Sequence, residues 1–365
     1  MDGVKILHIS DLHLDSPTVG LDADQRAVRR QELRQSFANA LAFARQRQVQ
    51  AVLLPGDLFD GPDVSADTVK FVQNLFASYS DMRFFLAPGN HDPLSANMYT
   101  AFADMPHVTV FGDAWGCAEL PEWNARVYGA GFVHSQQAEP LLRGFHTGKG
   151  EAVNLAVLHG ELVQGLAAGS AYNPVYVPDI AESGADYLAL GHSHTYSGIL
   201  KAGGTHYAYC GTHEGHGFDE CGPKGVLIGT VGKGRVDLEF VPTCLRQYQR
   251  LEVDITGCDT VEDVLTAVNT CTNPRDLFRI ALAGQFDGEL QLAVLQNGVQ
   301  AYFAKFVNET RPGYDLQALS QEYTLKGLFA RGILERLGQA QSEEEKTALL
   351  DAADLAFRLF EKGGA

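Results

Sequence analysis

Seven apolar runs of strand length punctuate the first 195 residues of the chain, and five of them stop abruptly at an imidazole, a carboxylate or a carboxamide. KILHIS runs into Asp11-Leu-His13, AVLLPG into Asp57-Leu-Phe-Asp60, FFLAPG into Asn90-His91-Asp92, NLAVL into His159-Gly160 and YLALG into His192-Ser-His194. Continuous apolar runs mark strands buried on both faces, and helical stretches between them mark crossovers, so a layered α/β architecture is expected. Ala23 to Gln48, which lacks Gly and Pro and is rich in Ala, Arg, Gln and Leu, reads as one such helix.

Adjacent strands that all finish in His, Asp or Asn bring those groups to one rim, where open α/β sheets bind ligands. Imidazole and carboxylate without thiolate suit manganese, iron or zinc and disfavour a Cys-rich structural site. Two such ions about 3.5–4 Å apart generate a hydroxide at neutral pH and clamp both oxygens of an in-line displacement. One carboxylate must bridge them. Asp57 is the expected bridge, because the preceding Gly56 lets the backbone turn tightly beneath the metals.

The net charge of -17 argues against a protein that coats nucleic acid by a basic surface. It leaves open an enzyme whose bound ions supply the local positive charge. No run reaches the roughly 18 apolar residues of a membrane span. The chain enters a strand pattern at once, without a leader, so a cytoplasmic location is expected. The six cysteines are scattered without a C-x-x-C pair and read as reduced structural thiols.

From about Thr205 the chain turns Gly-rich and reads as a meandering β layer that closes a first domain, residues 1–242. Residues 243–365 read as a smaller α+β domain. It has strands at RLEVDI and FRIALAG, a helix and strand in ELQLAVLQNGVQAYFAKFV, and two terminal helices after about Pro312. The second of these opens with Ser342-x-x-Glu345, a capping-box pattern. Leu325, Leu328, Phe329, Gly332 and Leu337 on one helix, with Leu349, Leu350, Ala353, Phe357 and Phe360 on the other, are the expected buried faces.

D-x-H, GD-x-x-D, GNHD, H-G and G-H-x-H, in that order, resemble the calcineurin-like metallophosphoesterase superfamily. DLHLDSPTVGL, GDLFDGPD, PGNHDP and HEGHGFDECGPKG further resemble its bacterial YhaO/SbcD-type branch of DNA repair exonucleases. The resemblance implies a layered α-β-β-α nuclease domain capped by the smaller one. It implies two divalent ions, manganese first and iron or zinc as alternatives. Asp11, His13, Asp57 and His194 would hold one ion, and Asp57, Asn90, His159 and His192 the other. His91 would face the phosphate, with Asp92 orienting its ring. Asp60 stands where archaeal and eukaryotic relatives carry a second catalytic His and is expected to support a ligand instead.

Phosphomonoesterases of the superfamily place arginines after GD-x-x-D and GNH, whereas this chain has Asp60-Gly61-Pro62 and His91-Asp92-Pro93. A diester monoanion is therefore the better substrate. The expected activity is a metal-dependent phosphodiesterase on DNA, an exonuclease or single-strand endonuclease. It would work with an SMC-like ATPase gripped by the terminal helices, away from membranes, with a homodimer as a further assembly. The alternatives are a small-molecule phosphodiesterase or phosphatase, for example on cyclic nucleotides, and a scaffold subunit of weak turnover. His8, His107, His134 and His146 are expected to be structural. His213 and His216 are open between substrate contact and surface turn. The arginines of the first helix, Arg26, Arg29, Arg30 and Arg34, are expected to form a solvated face in preference to a phosphate track.

Overall fold

A computed structural model describes residues 3–18, 20–163, 170–286, 290–311 and 313–362. Val19, within the first quoted motif, and Pro312 lie outside the described residues. The chain divides into two compact units, Met1–Tyr248 and Gln249–Ala365.

In the first unit, β1 (Val4–His8), β2 (Ala51–Leu54), β3 (Arg83–Leu86) and β4 (Val108–Val110) are parallel neighbours. Helices α1 (Ala23–Gln46) and α2 (Ala66–Ser78) make the first two crossovers. A second sheet begins with β5 (Gly116–Leu120), β6 (Ala125–Ala130) and β7 (Val153–His159). A two-stranded ribbon, β8 (Glu161–Leu162) with β9 (Pro174–Val175), and helix α3 (Val177–Glu182) follow. Strands β10 (Tyr187–Gly191), β11 (Leu200–Ala202) and β12 (Thr205–Tyr209) complete that sheet in the order β11-β12-β10-β7-β6-β5. The hairpin β13 (Gly225–Gly232) and β14 (Arg235–Pro242) returns to the first sheet, giving β14-β13-β1-β2-β3-β4. The Gly-rich region is thus no separate layer. β12 extends the second sheet parallel to β10, and β13 pairs antiparallel with β1.

The seven apolar runs are all strands, and their continuous hydrophobicity has a layered cause. Alternate residues of the first sheet, Leu7, Val52 and Phe84, pack beneath Phe37 and Leu41 of α1 and Phe76 of α2. The intervening Ile6, Ala51, Leu53 and Phe85 meet Val127, Leu155, Val157 and Ala189 of the second sheet. On that sheet's far face, Leu158, Leu188 and Leu190 pack with Ile180 of α3. Each fully buried aliphatic contributes roughly 1.5–3 kcal/mol, so a strand apolar on one side only would not hold this position. Helix α1 starts at a capping box in which Asp22 accepts the Gln25 N–H at 2.8 Å and Gln25 accepts that of Asp22. The segment after Pro242 stays with the first unit, because the Leu245 and Arg246 N–H groups donate to the buried Glu214 carboxylate.

The second unit carries β15 (Tyr248–Asp254), α4 (Val261–Asn269), β16 (Leu277–Ala283), α5 (Leu292–Gly298) and β17 (Phe303–Asn308). The three strands form one sheet in chain order, and Val264 and Leu295 of the helices pack on Phe278, Ile280 and Ala304. Three helices follow: α6 (Leu316–Ser320), α7 (Leu325–Gln339) and α8 (Glu343–Lys362). The Ser342 hydroxyl accepts the Glu345 N–H at 3.1 Å, and the Glu345 carboxylate reaches the Gln341 N–H. These helices build a small core of their own around Ala330, Ile333, Ala353 and Phe357. Leu325 and Leu328, expected in that core, instead point outward at 66% and 61% exposure, because Ala330 and Ile333 occupy the face turned to α8.

Candidate metal centre

The polar strand ends come from both sheets and meet where the two layers end together. Their backbones leave the strands in the left-handed region: Asp11 at φ 51°, His13 at 43°, Asp57 at 51° and His192 at 110°. Each such non-glycine conformation costs on the order of 1–3 kcal/mol and persists only where neighbours hold it. Here Asp11 N–H donates to the Gly56 carbonyl at 3.2 Å, His13 N–H to that of Asp57 at 3.0 Å, and His192 N–H to the Asp11 carboxylate at 2.9 Å. Gly56 has φ 87°, and a Cβ there would overlap the His159 ring. Gly191 meets the Pro55 carbonyl in the same way, so two glycines allow the strands of opposite sheets to touch.

Donor atoms converge from seven residues. His13 Nε2 lies 3.0 Å from His194 Nε2 and 3.6 Å from Asp57 Oδ2. His194 Nε2 is 4.0 Å from Asp11 Oδ1. On the other side, His159 Nε2 lies 3.4 Å from Asp57 Oδ2 and 2.9 Å from Asn90 Oδ1, which is 3.3 Å from His192 Nδ1. Asp57 is common to both groups.

The chemistry of this set fits cations. His13 donates its Nδ1–H to Asp60 at 2.9 Å, His194 donates its own to Glu220 at 2.5 Å, and His159 donates to the Pro55 carbonyl at 2.9 Å. The Nε2 atoms of all three therefore turn lone pairs inward, against one another and against carboxylate and carboxamide oxygens. Lone pairs at such distances repel unless a positive charge stands between them. Burial pulls the His13 imidazole down to about 3 and that of His192 to about 4, keeping them neutral as ligands must be. Burial likewise pushes the Asp57 carboxyl up to about 6. His194 is the exception: burial pulls it down, but its hydrogen bond to the Glu220 carboxylate and the nearby Asp11 raise it to about 9. Asp11, His13 and His194 form one possible metal-holding group, and Asp11, Asp57 and His159 another, with no thiolate in either.

His91 is 45% exposed and lies above this floor, its ring edge-on to His13 at 4.7 Å. Its Nδ1–H meets the Asp60 carbonyl at 3.1 Å, so Asp60 and not Asp92 orients the ring. The Asp92 expectation is corrected on this point. Its carboxylate is fully buried and accepts N–H groups from Gly89, Asp57 and Phe59 and the Tyr99 hydroxyl. It ties the two loops together, and burial and the charge of Asp57 push it up to about 7 against the Tyr99, Gly89 and Phe59 donors. Beside His91 opens a groove of 580 Å³ whose walls include Asn90, Ser95, His134, Gln136 and Tyr172. No Lys or Arg is among its lining residues.

The remaining histidines divide. His8 bridges the sheets through the Tyr187 hydroxyl and the Leu190 carbonyl, and His107 and His146 bind backbone carbonyls. His134 lines the groove. His213 is buried and hydrogen-bonded to the Leu33 carbonyl, which rules out substrate contact. His216 stands 5.5 Å from His13, ring to ring. Arg29 is neither solvated nor a phosphate contact: it is 1% exposed and pairs with Glu32 and Glu214. Glu220 went unrecognised in the sequence; its only signal is an acid placed among His213, His216 and four glycines in one loop.

Residues 4–196 match the family described as Calcineurin-like phosphoesterase. The chain belongs to that family. It is 26% identical over 267 residues to the uncharacterized metallophosphoesterase YhaO of Bacillus subtilis, an alignment covering 69% of this chain and 64% of that protein. It is 28% identical over 284 residues to the DNA double-strand break repair protein Mre11 of Aeropyrum pernix, with the same two coverages. To Mre11 of Methanosarcina acetivorans it is 25% identical over 307 residues, covering 80% of this chain and 48% of the relative. The chain thus spans less than two thirds of the length of these relatives. In this calcineurin-like phosphoesterase the matched span contains the whole donor cluster and ends before the loop that carries Glu220.

Proposed function

We propose that the protein is a two-metal phosphodiesterase that cleaves DNA strands. Asp11, His13, Asp57 and His194 would hold one ion and Asp57, Asn90, His159 and His192 the other, with manganese as the proposed metal. Bound there, the ions supply Lewis acidity and a hydroxide at neutral pH. The chain's own residues do the rest. Asp57 would be shared by the two ions, Asn90 would contribute a neutral oxygen that leaves net positive charge for the phosphate, and His91 would stabilise or protonate the departing oxygen.

The observation that carries the reading is the groove beside His91 without a Lys or Arg. A phosphomonoester dianion calls for guanidinium or ammonium partners beyond the metals, whereas a diester monoanion with an uncharged nucleoside on either side does not. That two similar relatives are DNA double-strand break repair proteins supports DNA as the diester. Catalysis belongs to the N-terminal unit. Partner binding belongs to the C-terminal unit, where Leu325 and Leu328 border an apolar groove of 340 Å³ with Phe329, Ile333 and Phe360, suited to a helix of an SMC-like ATPase. No described helix is long and apolar enough to cross a membrane.

The test is hydrolysis by the full-length protein with Mn²⁺ of bis-p-nitrophenyl phosphate, p-nitrophenyl phosphate, a cyclic nucleotide and single-stranded DNA. The diester is expected to be cleaved faster than the monoester, and the DNA degraded. Preference for the monoester overturns the reading in favour of a phosphatase, and cleavage of the cyclic nucleotide alone in favour of a small-molecule enzyme.

A further inference from the structure

The two halves of the donor cluster are supported unequally. On the His13 side, both imidazoles lean on carboxylates: His13 on Asp60 at 2.9 Å and His194 on Glu220 at 2.5 Å. Glu220 is itself fixed. Its second oxygen accepts both the backbone N–H of His216 at 2.9 Å and the His216 Nδ1–H at 3.1 Å, which leaves the first oxygen for His194. The loop that presents it is anchored at its base by Arg29, which donates to Glu214 and to the Gly215 carbonyl, each at 3.0 Å. On the other side, His159 leans on the neutral Pro55 carbonyl, and His192 turns Nδ1 to Asn90 with no carboxylate hydrogen-bonded to its ring among the described residues.

A carboxylate behind an imidazole raises its basicity and fixes its orientation, and losing such a partner weakens metal binding by on the order of 10- to 100-fold. The donors themselves reinforce the difference, since Asp11 is charged and Asn90 is not. We propose that Asp60 and Glu220 are positioning residues that make the Asp11, His13 and His194 side the tight metal site and leave the Asn90, His159 and His192 side exchangeable. In limiting metal the protein then holds one ion, and the second arrives as its concentration rises. This rests on the two-ion reading above and adds a ranking of the two positions.

Titration of metal-free, full-length protein with Mn²⁺, with free ion followed by its electron paramagnetic resonance signal, tests the ranking without reference to turnover. The wild type is expected to fill in two steps at least about 10-fold apart. Asn90→Ala should remove the weaker step alone. Glu220→Gln and Asp60→Asn should each loosen the tighter step by about 10- to 100-fold, so that the two steps close up or merge. Should Glu220→Gln not fold by circular dichroism, Asp60→Asn carries the test. Two equal steps in the wild type, or an Asp60→Asn protein with an unchanged titration, overturns the ranking. A wild type that takes up fewer than two ions refutes the two-ion reading itself, which is a separate outcome.

Discussion

The Asp92 carboxylate accepts the backbone N–H of Asp57 at 3.2 Å. The turn that presents the central carboxylate of the cluster is therefore held by a second buried acid. Asp92→Ala would strand three N–H groups and the Tyr99 hydroxyl in a dry interior, at roughly 1–3 kcal/mol for each that water cannot reach. A loss of about 3 kcal/mol or more is expected in denaturant unfolding of the metal-free protein. An unchanged midpoint would show that the loops hold without it.

Asp57 and His91 should separate metal binding from turnover. Among the described residues Asp57 is the one carboxylate within 3.6 Å of imidazoles on both sides, whereas the His91 ring meets the Asp60 carbonyl and the edge of His13, and its backbone N–H reaches the Asp57 carboxylate at 2.9 Å. Asp57→Asn is expected to lose both ions on elemental analysis. His91→Ala should keep them while its diesterase rate falls by roughly 10²–10⁴-fold, the usual worth of a general acid. Normal metal content in Asp57→Asn defeats the bridging role.

Gly56→Ala tests the close approach of the two sheets. The new methyl would overlap the His159 ring, and its backbone would have to keep φ at 87°. Loss of the Asn90 and His159 side of the centre is expected, along with a stability cost of about 1–3 kcal/mol from the backbone alone. Metal content and the thermal midpoint report the two effects separately.

Arg29→Ala should be among the most damaging changes on α1, although nothing distinguishes Arg29 from its neighbours in sequence. The side chain is 1% exposed and the Glu214 carboxylate it meets is fully buried. Removing one partner of a buried pair costs about 3–5 kcal/mol, because the other is left uncompensated. The same change at the half-exposed Arg30 should stay within about 0.5 kcal/mol in parallel unfolding curves.

The terminal helices offer a contrast between packing and docking. Phe357→Ala, at a fully buried position between α7 and α8, is expected to cost about 3–5 kcal/mol. Leu325→Ser with Leu328→Ser should leave the melting curve of the protein close to wild type and its diesterase rate unchanged. If the proposed SMC-like ATPase docks on this face, the double variant should lose co-purification with it from native extract. Retention of that partner by the double variant would move the docking surface elsewhere.

The strands and the donor residues were legible because each leaves a local mark. A strand buried between two layers must be apolar at every position, as in AVLL and VNLAVLH, and a ligand at its end must break that run with His, Asp or Asn. The breaks therefore placed Asp11, His13, Asp57, Asp60, Asn90, His91, Asp92, His159, His192 and His194 on strand ends, and the family resemblance picked the seven donors from among them. What no window of sequence carries is which remote partner each side chain meets. That Asp92 holds the Asp57 turn and leaves His91 to Asp60, that Arg29 is buried and Arg30 is not, and that Glu220 backs His194 across 26 positions follow from how the two sheets and the loop after β12 come together. The same holds for Leu325 and Leu328, whose helical spacing fits a core that Ala330 and Ile333 fill instead. Periodicity reports that a residue could be buried, but the facing surface decides which side of the helix is covered. A hydrogen bond or ion pair is fixed by distances of a few ångströms between groups far apart in the chain, and those distances exist only once the layers have packed.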